Sequence, residues 1–78
     1  MRVQVLFFGE MRRLLPRGQE AVALELGVGA RVADALAAVG VLAADERIVG
    51  LNGALARDDS ALSDGDTLSL YHPMGGGR

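Results

Sequence analysis

The residues best suited to chemistry stand at the C-terminal end, Leu68-Ser69-Leu70-Tyr71-His72-Pro73-Met74-Gly75-Gly76-Gly77-Arg78. Three successive glycines have no Cβ, so they can lie extended, adopt positive φ and pass through a channel too narrow for any other residue. Such a segment can enter another protein. A partner that swallows the glycines must touch what precedes them, which makes Tyr71, His72, Pro73, Met74 and Gly75 the candidate partner-binding collar; aromatic and Met side chains are favoured at such contacts. His72 is the single histidine and there is no cysteine beside it, so its imidazole reads as a bystander rather than a metal ligand or acid–base group.

The rest of the composition narrows the chemistry further. Without cysteine there is no disulfide, no thiol nucleophile and no Cys-based zinc site, which fits a reducing, cytoplasmic setting. All eight basic residues are arginine, so no lysine amine is present to form a Schiff base or an isopeptide. The net charge is −2 and the arginines are scattered among ten acidic residues, leaving no basic stripe to displace counterions from nucleic acid. No apolar run approaches the roughly 20 residues of a membrane span, and Met1-Arg2 leads into a strand rather than a signal-peptide core. Asp58, Asp59, Asp64 and Asp66 invite a calcium reading, but their spacing lacks the glycine and late Glu of an EF-hand loop, and turn chemistry explains them better. With 78 residues the chain is one domain burying roughly 60% of its unfolded surface, too small to enclose a substrate pocket of about 300 Å³ without help. Catalysis by this chain alone is not expected.

The elements that must carry the tail follow from periodicity. Arg2 to Phe8 alternates Val3, Val5 and Phe7 against Gln4, Leu6 and Phe8, apolar on both faces toward its end, as in a central strand, and Gly9 breaks it. Met11, Leu14 and Leu15 share a face in a short helical turn from Glu10, ended by Pro16 and Gly18, with Arg12 and Arg13 outside. Glu20 to Leu26 returns to strand alternation, with Val22, Leu24 and Leu26 inward. Ala30 to Val39 changes to helical period, Val32, Ala35, Leu36 and Val39 forming one stripe, with Gly29 a weak N-cap and Gly40 the stop. Arg47 to Leu51 is a third strand, Asn52-Gly53 a tight hairpin turn, and Ala54 to Ala56 its short partner. Leu62 is a buried anchor, Asp64-Gly65-Asp66 a turn, and Thr67 to His72 the last strand, halted by Pro73, which has no N–H to donate.

Strand, strand, helix, strand, short strand, strand predicts an α+β fold in which a mixed sheet of four to five strands curls over one main helix, first and last strands adjacent in the middle. This is the β-grasp, ubiquitin-like architecture. It places a domain over 1–72 and a glycine-rich, flexible tail over 73–78.

The same residues carry a family resemblance. Val5-Leu6-Phe7-Phe8-Gly9-Glu10-Met11-Arg12-Arg13-Leu14-Leu15 resembles the opening of the small subunit of molybdopterin synthase, and Leu51-Asn52-Gly53 with Leu62-Ser63-Asp64-Gly65-Asp66-Thr67-Leu68-Ser69-Leu70 is similar to its later conserved stretch. His72-Pro73-Met74-Gly75-Gly76-Gly77 resembles the closing Pro-Pro-Val-x-Gly-Gly of the MoaD/ThiS family of ubiquitin-like sulfur carriers. The resemblance implies that Gly76 and Gly77 are the terminal diglycine. An E1-like enzyme would use ATP to adenylate the Gly77 carboxylate, sulfur would replace AMP, and the thiocarboxylate would be delivered into a synthase resembling the large subunit of molybdopterin synthase. It implies no cofactor held by the chain itself and a carrier role, with the catalysis in its partners.

Arg78 departs from that pattern, because it ties the Gly77 carboxylate into a peptide bond. Either a C-terminal peptidase removes it, or this member is not a thiocarboxylate carrier, or the arginine is an addition to the natural chain. Beside the molybdopterin reading stand a thiamine or other sulfur-transfer pathway and a non-covalent ubiquitin-like interaction module.

Overall fold

A computed structural model describes residues 1–9, 11, 19–41 and 47–72. The expected tail Pro73–Arg78, most of the helical turn after Glu10, and the loop 42–46 lie outside the described residues. The elements are β1 (Arg2–Phe7), β2 (Ala21–Glu25), α1 (Val32–Ala38), β3 (Ile48–Leu51), β4 (Ala54–Ala56) and β5 (Thr67–Tyr71). They form a five-stranded sheet in the order β2-β1-β5-β3-β4. β1 and β5 run parallel, with Val5 opposite Leu68 and Phe7 opposite Leu70, while the other pairs are antiparallel. This is the β-grasp arrangement, first and last strands side by side in the middle.

One face of the sheet is covered by α1. Val3, Val5, Phe7, Leu68 and Leu70 from the central strands meet Val32, Ala35 and Leu36, and Met11, Val41, Val49 and Leu62 close the margins. Each of these is buried, and removing such a side chain from water contributes about 1.5–3 kcal/mol. Leu24 and Val22 face this core but are only half-buried, because β2 is the edge strand of the sheet. Leu24 therefore falls short of the burial its alternation predicts.

The helix is shorter than its periodicity. It begins at Val32 because Arg31, not Gly29, is the N-cap: the Arg31 N–H donates to the Asp34 carboxylate at 2.8 Å. Two of the free N–H groups of its first turn find carbonyls from another part of the chain, Val32 to Ser60 at 2.9 Å and Ala33 to Asp58 at 2.8 Å. Gly40, at φ 87°, ends it with a pair of bonds from Gly40 N–H to Ala37 O and from Val41 N–H to Leu36 O. That Schellman closure turns Val41 back into the core beside Leu36.

Candidate functional site

The end of β5 is the root of the tail, and three apolar side chains surround it. Alternation puts Leu68 and Leu70 into the core, so Thr67, Ser69 and Tyr71 face away from the helix. On β1 the same face carries Gln4, Leu6 and, just past the strand's end, Phe8. Phe8 stacks on Tyr71 with ring centroids 4.9 Å apart and planes 11° from parallel. Ile48 stands directly opposite Tyr71 across the β3–β5 pair. Phe8, Ile48 and Tyr71 are each about 40% exposed, more than large apolar groups inside a finished core show.

A second row crosses the sheet just below this corner. Register aligns Ala21 with Leu6, Leu6 with Ser69, Ser69 with Gly50, and Gly50 with Leu55. Leu55 is 83% exposed. The tail-end half of the open face is thus largely apolar: none of the residues that the strand pairs align in these two rows is charged, and Arg57 follows directly after Ala56 at the outer edge. The other half is polar, with Gln4, Thr67 and the Arg2–Glu25 ion pair, whose nitrogen and oxygen are 3.7 Å apart.

That polar end is organised by Asn52. Its Nδ2 donates to Asp66 Oδ1 at 2.9 Å, its Oδ1 accepts the Thr67 N–H at 2.9 Å, and its backbone N–H donates to the Thr67 carbonyl at 2.9 Å. Asn52 holds φ 51° and Gly53 φ 91°, the paired positive values of a tight hairpin turn. Asp66 also accepts from the Ser63 N–H, and Asp64 from the Arg2 N–H, both at 2.7 Å. Asp58 pairs with Arg47 at 2.5 Å. Asp64 and Asp66 thus accept backbone N–H groups and Asp58 forms an ion pair. Among the described residues no group of three or more His, Cys, Asp and Glu could hold a metal.

An open depression of about 450 Å³ lies at this polar end, lined by Arg2, Gln4, Asp64, Gly65, Asp66 and Thr67. It exceeds the volume expected of so short a chain, but it is a trough at the Thr67 end of β5, opposite Tyr71, and its aspartates accept hydrogen bonds from backbone N–H groups. No helix among the described residues is long and apolar enough to cross a membrane.

Of the sequence-predicted collar, Tyr71 is exposed as expected and His72 is half-buried. Pro73, Met74, Gly75, Gly76, Gly77 and Arg78 lie outside the described residues. Phe8 and Ile48 were not among the predicted site residues. Their signal was present in Phe8, which lies on the helix-free face of a central strand, but it becomes readable only once β5 is placed beside β1.

One helix, a five-stranded sheet with adjacent parallel termini, and a last strand ending at an apolar corner define a ubiquitin-like β-grasp protein. The chain belongs to the ThiS family, whose model matches residues 5–77. That is a family of ubiquitin-like sulfur carriers, within which small carrier subunits are found. The chain is 41% identical over 66 residues to Protein RnfH of Burkholderia mallei (strain NCTC 10229), covering 77% of this chain. It spans 60% of the length of that relative. Among solved structures it is similar to SAMP1 from Haloferax volcanii (TM-score 0.80, 26% identity, 99% of this chain and 100% of that one). It is also similar to a chain of the complex of subunits 1 and 2 of molybdopterin-converting factor from Helicobacter pylori 26695 (TM-score 0.66, 25% identity, 99% and 100%).

Proposed function

We propose that the protein is a sulfur carrier of molybdopterin biosynthesis, acting through Gly77 once Arg78 has been removed. The observation that carries this reading is the family match, which runs through Gly76 and Gly77. An E1-like partner binds ATP, and the Gly77 carboxylate oxygen attacks its α-phosphorus with release of pyrophosphate. The acyl-adenylate so formed has a good leaving group, and a hydrosulfide equivalent from a sulfur donor displaces AMP to leave a thiocarboxylate. Glycine at the reacting end keeps side-chain bulk away from the attack. The carrier itself binds no cofactor and catalyses nothing; it supplies a reactive end on a rigid mount.

The similarity to subunit 1 of a two-subunit molybdopterin-converting factor supports a synthase-like partner. The apolar corner of Phe8, Ile48 and Tyr71 suits that role, because it adjoins the tail. Gly77 follows His72 by five residues, so its carbonyl reaches at most about 18 Å from the sheet, and whatever reacts with it must lie against this corner.

The experiment is intact-mass analysis of the protein ending at Gly77 after incubation with an E1-like enzyme, ATP and a sulfur donor. A gain equal to the difference between sulfur and oxygen is expected. A second reading is a non-covalent ubiquitin-like interaction module, and an unchanged mass in the presence of an active E1-like enzyme would favour it.

A further inference from the structure

Asn52-Gly53 forms the turn between β3 and β4, and Asn52 is the single asparagine of the chain. Both residues are exposed. Asparagine is a thermolabile residue, and a glycine after it leaves no side chain to hinder attack by the next main-chain nitrogen on the asparagine amide. A Cβ built on Gly53 would meet nothing within 4 Å, so solvent reaches the turn on that side as well.

The fold opposes that attack. Asn52 Nδ2 donates to Asp66 Oδ1 and Asn52 Oδ1 accepts the Thr67 N–H, both at 2.9 Å, so the amide is tied at both ends. Closing an imide ring with the Gly53 nitrogen forces the Asn52 χ1 angle off its staggered positions and turns the amide plane, which breaks both bonds. The bond to the Asp66 carboxylate is charge-assisted and is the stronger of the two. Asp66 is itself held, because its other oxygen accepts the Ser63 N–H at 2.7 Å.

We propose that Asn52 is a site of spontaneous deamidation that Asp66 holds shut, and that it reacts when the turn opens away from β5. The site stands whether or not the tail carries sulfur, and water is its one co-reactant. The Gly53 nitrogen gives its proton to solvent and attacks Asn52 Cγ; the N–Cγ bond forms, the Cγ–Nδ2 bond breaks, and Nδ2 takes a proton from solvent and leaves as ammonia. Water then adds to one of the two imide carbonyls and breaks its bond to nitrogen, which recovers a proton. The product is aspartate or, where the main chain now runs through Cβ, isoaspartate. Either one puts a carboxylate where Nδ2 donated, facing Asp66, and isoaspartate also lengthens the main chain inside a two-residue turn. A molecule that has opened here is therefore marked, and its turn closes less well than before.

The test incubates the full chain in mildly alkaline buffer, well below its melting temperature, and follows Asn52 by intact mass and peptide mapping. Mapping separates it from Gln4 and Gln19, and from isomerisation at Asp64-Gly65, which leaves the mass unchanged. The folded protein is expected to deamidate at least about tenfold more slowly than the same chain in urea, and Asp66→Ala about tenfold faster than the unsubstituted protein. Val22→Ala thins the core at the edge strand β2, away from the turn, and should stay within about twofold of the unsubstituted rate. Asn52→Asp, which makes the product directly, should melt below the unsubstituted protein. Asp66→Ala reacting no faster than the unsubstituted protein, or Val22→Ala reacting as fast as Asp66→Ala, overturns the lock. Should Asp66→Ala fail to fold, the comparison with urea decides, and equal rates in the folded and unfolded chain overturn it.

Discussion

Phe8 lies flat on Tyr71, ring centroids 4.9 Å apart, so the exits of the first and last strands are joined by an aromatic pair at the point where the tail begins. An exposed stack of this kind contributes about 0.5–1.5 kcal/mol beyond the area it buries. A double-mutant cycle with Phe8→Leu and Tyr71→Leu, followed by urea unfolding, should return a coupling in that range. Phe8→Ala should also weaken partner binding by about tenfold, because truncated aromatic anchors are the costly positions of an interface. Coupling indistinguishable from zero together with unchanged affinity would remove the pair from the site.

Asn52 should prove less replaceable than its exposure suggests. Asn52→Ala loses two side-chain hydrogen bonds to Asp66 and Thr67 and must also hold a positive φ, for a combined loss of about 2–4 kcal/mol. Asn52→Gly relieves the backbone but not the bonds and should lose about half as much. Equal losses for the two variants in denaturant titration would mean that backbone conformation is irrelevant at this turn.

Leu36, at 2% exposure, anchors α1 to β1 and β5. Leu36→Ala should destabilise the domain by about 2–5 kcal/mol, a large share of what so short a chain can hold. A loss below about 0.5 kcal/mol by urea denaturation would be incompatible with the packing described.

Much of this architecture was legible because two periods do not overlap. Val3, Val5 and Phe7 can only be a strand face, and Val32, Ala35 and Leu36 only a helix face. Asn52-Gly53 and Asp64-Gly65-Asp66 were each recognisable as turns, but not that Asn52 bridges them, since their contact depends on β3 and β5 becoming neighbours. The helix start was displaced to Val32 because the carbonyls of Asp58 and Ser60, remote in sequence, accept its first N–H groups. Leu24 looked as inward as Val5, and only its place on an edge strand leaves it half-exposed. Of the candidate site, the strand end at Tyr71 and His72 was legible, whereas Phe8 and Ile48 gain meaning from strand order, which no local pattern encodes.

Arg78 should act as a gate. Peptide resonance makes the Gly77 carbonyl unreactive toward ATP, so the protein carrying Arg78 should support no ATP–pyrophosphate exchange with the E1-like enzyme, while a variant ending at Gly77 should. Gly77→Ala in the shortened form adds one methyl group and should reduce exchange sharply if the channel excludes a Cβ. Equal exchange with and without Arg78 would refute the gate.

The parallel pairing of β1 with β5 also decides how the carrier answers tension. A partner drawing on the tail loads β5 along its own axis, and in a parallel pair flanked on its other side by β3 the hydrogen bonds are strained in shear, all at once, instead of being peeled one after another. Stretched between its two ends, the molecule should yield in a single high-force event rather than a series of small ones, and stepwise extension at low force in an optical trap would contradict this. A body clamped in this way should withstand a pull along β5 without unravelling, and on the proposed carrier reading that would let the glycines be drawn into one active site, released and offered to the next while the domain behind them stays whole.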